Sequence, residues 1–123
     1  MTAYRWMMRA KIHRARVTGV ELEYGGSITL DEDLLKASGI LPNERVQVLN
    51  LSNGARLETY VIKAPAGSGA VILNGPAARL AYPGDEVIII SYALVPEGEA
   101  ERLRPRVVIV DERNRVKEVR EEG

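Results

Sequence analysis

A pair of glycines followed by a serine could carry out chemistry on the protein's own backbone. Gly25 and Gly26 follow a strand-like run that ends at Tyr24, and Ser27 begins the next one. Glycine adopts backbone conformations, including positive φ, that other residues resist. The Ser27 hydroxyl lies next to an unshielded Gly26 carbonyl, and a strained peptide there could undergo an N-to-O acyl shift. Taken alone, these residues favour the simpler alternative, a tight hairpin turn whose serine starts a strand.

A second group of candidate residues follows the Asn53-Gly54 turn. The Arg56 guanidinium could bind a substrate carboxylate through two parallel, charge-assisted hydrogen bonds. Tyr60 carries a phenol that can donate a proton. Because side chains alternate along a strand, Arg56 and Tyr60 are predicted to share one face and Thr59 the other. The alternative is a strand with a solvated arginine and a packed tyrosine, which these residues in isolation favour.

Composition excludes several classes of site. The chain has no cysteine, and its only histidine is His13, so disulfides, thiolate metal sites and histidine-built metal clusters within one chain are excluded, and we expect no metal. A serine-hydrolase triad would depend on His13, and Ser27 lacks the flanking pattern of a nucleophile elbow. Gly67-Ser68-Gly69 lacks the further glycine and helix of a phosphate-binding loop, so a flexible connector is preferred.

Charge and hydropathy bear on partners and localisation. Seventeen basic and 17 acidic side chains cancel, which argues against nucleic acid and anionic membranes as partners. No apolar run approaches the roughly 20 residues of a membrane-spanning helix. Arg5, Arg9 and Lys11 interrupt what would be the apolar core of a signal peptide. These features predict a soluble cytoplasmic protein.

The candidate residues lie among many short elements of one predicted domain, residues 1–123. Helix signals are an N-cap at Asp31, a stop at Gly39 and a helical turn with Pro76 in first position. Asn53-Gly54 predicts a type I′ hairpin turn. Strands are predicted at residues 4–13, 17–24, 27–30, 45–51, 56–63, 71–73, 87–90 (the central one) and 107–110, with a surface turn or short helix over 97–104 and a charged, fraying tail over 111–123. The pattern is typical of a small, mainly β barrel with short helical inserts.

Together these pieces resemble one family, the pyruvoyl-dependent aspartate 1-decarboxylases. The resemblance covers roughly residues 4–110, in order and at the family's spacing, and is more specific than any single motif. Glycine at position 25 is a departure, because relatives often carry a larger residue there. The matching residues are Lys11-Ile12-His13-Arg14-Ala15-Arg16-Val17-Thr18, Leu22-Glu23-Tyr24-Gly25-Gly26-Ser27, Gly39-Ile40-Leu41, Asn53-Gly54-Ala55-Arg56, Thr59-Tyr60, Leu73-Asn74-Gly75-Pro76-Ala77-Ala78 and Pro83-Gly84-Asp85.

The resemblance implies a double-psi β-barrel that assembles as a homotetramer with active sites at subunit contacts. It also implies an inactive proenzyme that cleaves itself between Gly26 and Ser27. Ser27 would attack the Gly26 carbonyl, and β-elimination and hydrolysis would convert residue 27 into a covalent pyruvoyl cofactor. The expected products are a chain of residues 1–26 and a chain of residues 27–123.

The activity implied is decarboxylation of L-aspartate to β-alanine, which feeds pantothenate and coenzyme A biosynthesis. The amine of aspartate would form a Schiff base with the pyruvoyl carbonyl, which serves as the electron sink. By similarity, Tyr60 reprotonates the α-carbon and Arg56 holds a substrate carboxylate. Thr59 would line the pocket with Gly75, Pro76 and Ala77, and Asn74 and Lys11 are further pocket candidates. His13 falls within the match, but a structural role for it stays open.

A second class of function remains open at this point. A β-barrel could keep this fold and serve as a non-catalytic interaction module whose chain never matures. The two alternatives differ in one observable property, since an enzyme of this family consists of two chains and the module of one.

Overall fold

The computed structural model describes residues 1–122, which form a nine-stranded sheet with three short helical segments. In this part of the chain, no helix is both long and apolar enough to span a membrane. The helical segments are α1 (Glu32–Ser38), a 3-10 helix (Gly75–Leu80) and α2 (Glu97–Ala100). The strands are β1 (Tyr4–Arg16), β2 (Gly19–Glu21), β3 (Ser27–Asp31), β4 (Arg45–Asn50), β5 (Arg56–Ala64), β6 (Val71–Asn74), β7 (Glu86–Pro96), β8 (Arg106–Val110) and β9 (Val116–Glu121).

The strands follow the order β2-β6-β3-β5-β4-β7-β1-β8-β9. The pairs β2–β6, β3–β5 and β1–β8 are parallel, and the other neighbours are antiparallel. One core receives side chains from strands far apart in this order, including Leu73 on β6 and Val108 on β8, so the sheet curves around it as in a barrel. The prediction of a small, mainly β fold with short helical inserts is confirmed, and the predicted central strand lies within β7.

Helix α1 begins and ends where its sequence predicts. The Asp31 carboxylate accepts a hydrogen bond from the Asp33 N–H at 2.8 Å, which caps the first turn. The helix ends at Gly39, whose φ of +79° favours glycine. The same Asp31 carboxylate, buried at 3% exposure, also accepts the N–H groups of Gly67 at 3.1 Å and Gly69 at 2.8 Å. Asp31 thus ties the loop before β6 to the helix that follows β3.

The first two predicted strands have the wrong bounds. Strand β1 continues to Arg16 through a bulge at Arg14, where φ is +62°. The strand predicted over residues 17–24 is reduced to β2, and residues 22–24 form a turn instead. Alternating apolar and polar residues favoured a longer strand, but Leu22 and Tyr24 are each 52% exposed and bury no face.

The type I′ turn predicted at Asn53-Gly54 is wrong in type. Gly54 has a φ of +78°, but Asn53 is not among the residues with positive φ, as a type I′ turn requires. The connection is longer, because the Asn50 N–H donates to the Ala55 carbonyl at 2.8 Å. Asn50 itself bonds Leu80 through its side chain, a contact with the 3-10 helix that local sequence does not predict.

The prediction that the tail frays is wrong. The tail forms β9, which pairs with β8. The turn between these strands is held by Asn114, at φ +61° and 2% exposure. Its Oδ1 accepts the Arg16 N–H at 2.7 Å, and its Nδ2 donates to the carbonyls of Arg16 at 2.8 Å and Gly69 at 2.9 Å. The high charge of the tail reflects the exposed face of an edge strand. Gly123, the last residue of the predicted tail, lies outside the described residues.

Candidate active site

Ser27 is the first residue of β3 and is fully buried, at 0% exposure. It lies opposite Asn74, the last residue of β6, in an antiparallel ladder. The Asn74 amide Nδ2 donates to Ser27 Oγ at 2.8 Å and to Thr29 Oγ1 at 2.9 Å. Because the amide is a donor in both bonds, it orients the serine oxygen and does not take its proton.

The segment before Ser27 is not a hairpin turn. Strand β6 lies between β2 and β3, so the two strands that flank residues 22–26 do not pair. Neither Gly25 nor Gly26 has positive φ, contrary to the conformation considered for a Gly-Gly turn. The positive φ lies at Gly75, at +61°, where the backbone packs directly against the backbone of residues 24–26.

A cavity of about 390 Å³ opens beside the Gly26-Ser27 peptide. Four of the predicted site residues, Thr59, Tyr60, Pro76 and Ala77, share its lining with Gly26. Tyr60 is 40% exposed. The other lining residues are Leu57, Glu58 and Leu80. A candidate proton donor and the carbonyl-bearing Gly26 therefore line one cavity, although Tyr60 comes from β5 and Gly26 precedes β3.

Arg56 lines a neighbouring, larger cavity of about 810 Å³ rather than the one at Gly26. Alternating exposure along β5 places its side chain on the same face as Tyr60, as predicted. Glu58, between them, lines both cavities. The Arg56 guanidinium donates to Gln47 Oε1 at 3.2 Å and forms no ion pair with a carboxylate of residues 1–122. A guanidinium that has no carboxylate partner among the described residues suits an external carboxylate.

Lys11 and His13 both lie on β1, half-buried, and neither is among the lining residues of these two cavities. His13 Nδ1 is buried without a hydrogen-bond partner among the described residues. Burial, together with the positive charges of Lys11 and Arg14, lowers the His13 pKa below its usual 6.5. The structure therefore does not bring Lys11 or His13 to the Gly26 cavity within one chain.

Asn74 was predicted as a pocket residue, but the structure places it against the serine instead. Gly75, also predicted to line the pocket, contacts the segment before Ser27 and does not line the cavity. The antiparallel register of β3 and β6 brings these residues to Ser27, although Asn74 is 47 positions away from it in sequence and Gly75 follows Asn74. The family resemblance includes Asn74, but no local sequence signal predicted that Asn74 would contact Ser27.

The sequence did not predict a polar cluster of Arg9, Glu44 and Ser91, of which Arg9 and Glu44 line the larger cavity. Arg9 bonds Glu44 at 2.5 Å and the Ser91 hydroxyl at 2.9 Å, and Ser91 also bonds Glu44. Burial opposes ionisation of Glu44, but the hydrogen bonds from Ser91, the Leu41 N–H and Arg9 outweigh it and lower the Glu44 pKa. These residues come from separate strands and the loop before β4, so their meeting depends on tertiary structure.

Comparison with known proteins agrees with the geometry. A family model described as aspartate decarboxylase matches residues 3–117. A protein named aspartate 1-decarboxylase from Pelotomaculum thermopropionicum is 63% identical over 94% of this chain and 87% of its own length. Relatives of the same name from Carboxydothermus hydrogenoformans and Salinibacter ruber are 62% and 60% identical, over 94% and 93% of this chain and 91% and 78% of their own lengths. Because the family model and these relatives span most of its length, the chain belongs to the aspartate decarboxylase family.

Proposed function

We propose that this protein is a pyruvoyl-dependent aspartate 1-decarboxylase that makes its own cofactor by cleaving the Gly26-Ser27 peptide. It converts L-aspartate into β-alanine and carbon dioxide. One observation carries the proposal beyond family membership: a fully buried serine, its oxygen held by Asn74 at 2.8 Å, follows a glycine that lines a cavity with Tyr60. A buried serine with an oriented hydroxyl, next to a carbonyl without a side chain, suits an attack on the backbone.

Self-cleavage needs only groups of this chain and water. Ser27 Oγ bonds to the Gly26 carbonyl carbon, the carbon–nitrogen bond breaks, and the nitrogen takes the hydroxyl proton. The resulting ester loses the proton on Ser27 Cα as its Cβ–oxygen bond breaks. This step releases Gly26 as a carboxylate and leaves dehydroalanine. One water then replaces the nitrogen, ammonia leaves, and residue 27 becomes a pyruvoyl group.

The residues around Ser27 suit such a group. The serine oxygen leaves with Gly26, so the buried Asn74 amide that held it becomes a free donor beside residue 27, where it can hold a carbonyl oxygen. Thr29 shares that amide and is a further polar neighbour. When bound, a pyruvoyl group supplies an electron-accepting carbonyl for decarboxylation. Ser27 and its hydrogen-bond partners therefore fit the group that the family implies.

The remaining roles follow from the two cavities. Tyr60 lines the Gly26 cavity with a phenol that can deliver a proton to the substrate carbon, and Thr59, Pro76 and Ala77 shape the same space. Arg56 lines the neighbouring cavity without a carboxylate partner among the described residues, and it binds a substrate carboxylate. Lys11 lies elsewhere on the chain, so its part in binding requires a second subunit.

A homotetramer with active sites at subunit contacts accommodates these positions. Tyr4, Trp6, Tyr92 and Leu94 are exposed large side chains on the paired strands β1 and β7, with Trp6 opposite Leu94. Exposed apolar surface of this kind marks association sites. With the homotetramer that the family resemblance implies, sedimentation should give four copies of the chain, and Trp6→Glu should weaken the assembly.

The alternative, a non-catalytic interaction module, is not favoured by the family and its relatives. Incubation of purified protein with L-aspartate separates the two functions. The enzyme releases β-alanine and carbon dioxide in equal amounts, and the matched Ser27→Ala variant releases neither. Wild-type protein that leaves aspartate unchanged would support the module.

A further inference from the structure

Gly75 is the most crowded glycine of the described chain. It starts the 3-10 helix at φ +61°, where L side chains are strained. A Cβ at this position would come within 2.8 Å of Gly26 N and 3.0 Å of Gly25 C, and closer still to the carbonyl oxygen of Tyr24. These are backbone atoms, so no side-chain rotation relieves the overlap.

Among the other left-handed glycines, Gly69 also meets a backbone atom, because a Cβ there would lie 3.0 Å from the Arg113 carbonyl oxygen, but that atom is not in the segment before Ser27. A Cβ at Gly54, Gly67 or Gly84 would meet nothing within 4 Å. At Gly39 the nearest atom, at 3.5 Å, belongs to the flexible end of Arg9. Backbone conformation alone therefore explains these last four glycines. Gly75 must in addition have no side chain because residues 24–26 lie against it.

Two consecutive residues thus contact the nucleophile and the segment that carries the electrophile. Asn74 holds the nucleophile, Ser27 Oγ, at 2.8 Å. Gly75 contacts the peptide that leads into the electrophile, the Gly26 carbonyl. Pro76 also packs close to Gly26, because its Cδ would lie 3.5 Å from a Cβ placed on Gly26. The end of β6 and the first residues of the 3-10 helix therefore pack against both the hydroxyl and the segment that carries the carbonyl.

We propose that Gly75 is a positioning residue for self-cleavage, which fixes residues 24–26 so that the Gly26 carbonyl faces Ser27 Oγ. This inference rests on the proposed function. The step it governs is the acyl shift, in which the Ser27 oxygen–Gly26 carbon bond forms, the peptide carbon–nitrogen bond breaks and the nitrogen takes the hydroxyl proton. Gly75 touches no reacting atom and acts through the position of the peptide.

The test compares Gly75→Ala with Gly84→Ala in the full chain. Gly84 has a φ of +95° and open space around it, so its alanine variant carries the backbone strain without the overlap. Intact mass over time gives the fraction cleaved. Gly75→Ala should cleave at least tenfold more slowly than wild type, and Gly84→Ala within twofold of it.

Neutral hydroxylamine identifies the affected step, because it cleaves esters and captures the product of the acyl shift. Wild-type protein during maturation should yield hydroxylamine-dependent fragments, and Gly75→Ala should yield few. Thermal unfolding, measured with both alanine variants in a Ser27→Ala background, shows whether each folds. A folded Gly75→Ala chain that cleaves at the wild-type rate, or that accumulates ester, overturns the inference.

If Gly75→Ala does not fold, Pro76→Gly decides the matter. It loosens the same segment without adding an atom and should also slow cleavage, so cleavage at the wild-type rate in that variant overturns the inference. The failure of the proposed function is distinguishable: a wild-type chain that never cleaves overturns both, whereas rapid cleavage of wild type and Gly75→Ala alike overturns only the role of Gly75.

Discussion

Replacement of Asn74 by alanine tests how the structure holds the nucleophile. The Asn74 amide is 4% exposed and donates to two hydroxyl oxygens, Ser27 Oγ at 2.8 Å and Thr29 Oγ1 at 2.9 Å. A neutral hydrogen bond contributes about 0.5–1.5 kcal/mol net. Loss of both therefore lowers the free energy of unfolding by about 1–3 kcal/mol.

Only one of these bonds bears on cleavage. Without it, the Ser27 side chain is free to populate the other staggered rotamers. If the loss of this bond adds its 0.5–1.5 kcal/mol to the activation barrier, cleavage slows by about two- to twelvefold, since each factor of ten corresponds to about 1.4 kcal/mol. The rate is measured by intact mass on freshly purified chain.

Thr29→Val provides the matched control. It removes the second acceptor and leaves the bond to Ser27, so it should destabilise the fold by about 0.5–1.5 kcal/mol in a denaturant titration and leave the cleavage rate unchanged. Equal slowing by both substitutions, or wild-type cleavage in Asn74→Ala, would refute the assignment of Asn74 to the nucleophile.

Three further predictions concern turnover and pH. Tyr60→Phe keeps the ring but removes the phenol oxygen, so the chain should mature normally and its kcat for aspartate should fall by about 10²–10⁴-fold; normal turnover would assign the proton to another donor. Arg56→Ala removes a charge-assisted contact of about 1.5–3 kcal/mol, so kcat/KM for aspartate should fall at least about tenfold, with partial recovery in Arg56→Lys; unchanged kinetics would remove Arg56 from the site. Because burial and the charges of Lys11 and Arg14 lower the His13 pKa below 6.5, the unfolded chain binds a proton before the folded one. The free energy of unfolding should therefore be fully retained above about pH 6.5 and decline below it, and His13→Asn should remove the part of the decline that His13 causes. Denaturant titrations from about pH 7 to pH 5 check this. An NMR pKa of His13 at or above 6.5 would contradict it.

Local chemistry was sufficient to predict several elements. The side chain of Asp31 and the missing side chain of Gly39 specify the ends of α1 through contacts within a few residues. The β5 face that carries Arg56 and Tyr60 follows from strand alternation alone. These features depend on neighbours in sequence, so a single sequence contains the information.

Features that depend on distant partners were mispredicted. The tail looked too charged to be ordered, yet Asn114 ties it to Arg16 and Gly69 through three hydrogen bonds. A left-handed conformation was considered for the Gly25-Gly26 pair, but the glycine with positive φ in this region is Gly75. It packs against residues 24–26 from a distant part of the sequence. Packing decides such positions, and short-range patterns do not report it.

The sequence named several residues that the structure brings together, but it did not predict how all of them are arranged. Gly26, Thr59, Tyr60, Pro76 and Ala77 do line one cavity. Arg56 and Lys11 do not join them within one chain, and Asn74 contacts the serine rather than the cavity. Their substrate-binding and catalytic roles stay predictions, which the variants above address.

The mass of the purified protein under denaturing conditions tests the central claim most directly. Cleavage at Gly26-Ser27 predicts a fragment of 26 residues and one with the remaining 97 of the 123 residues. The larger fragment should have no free N-terminal amine, and Ser27→Ala should stay whole. A single uncleaved wild-type chain that still forms β-alanine from aspartate would contradict the account.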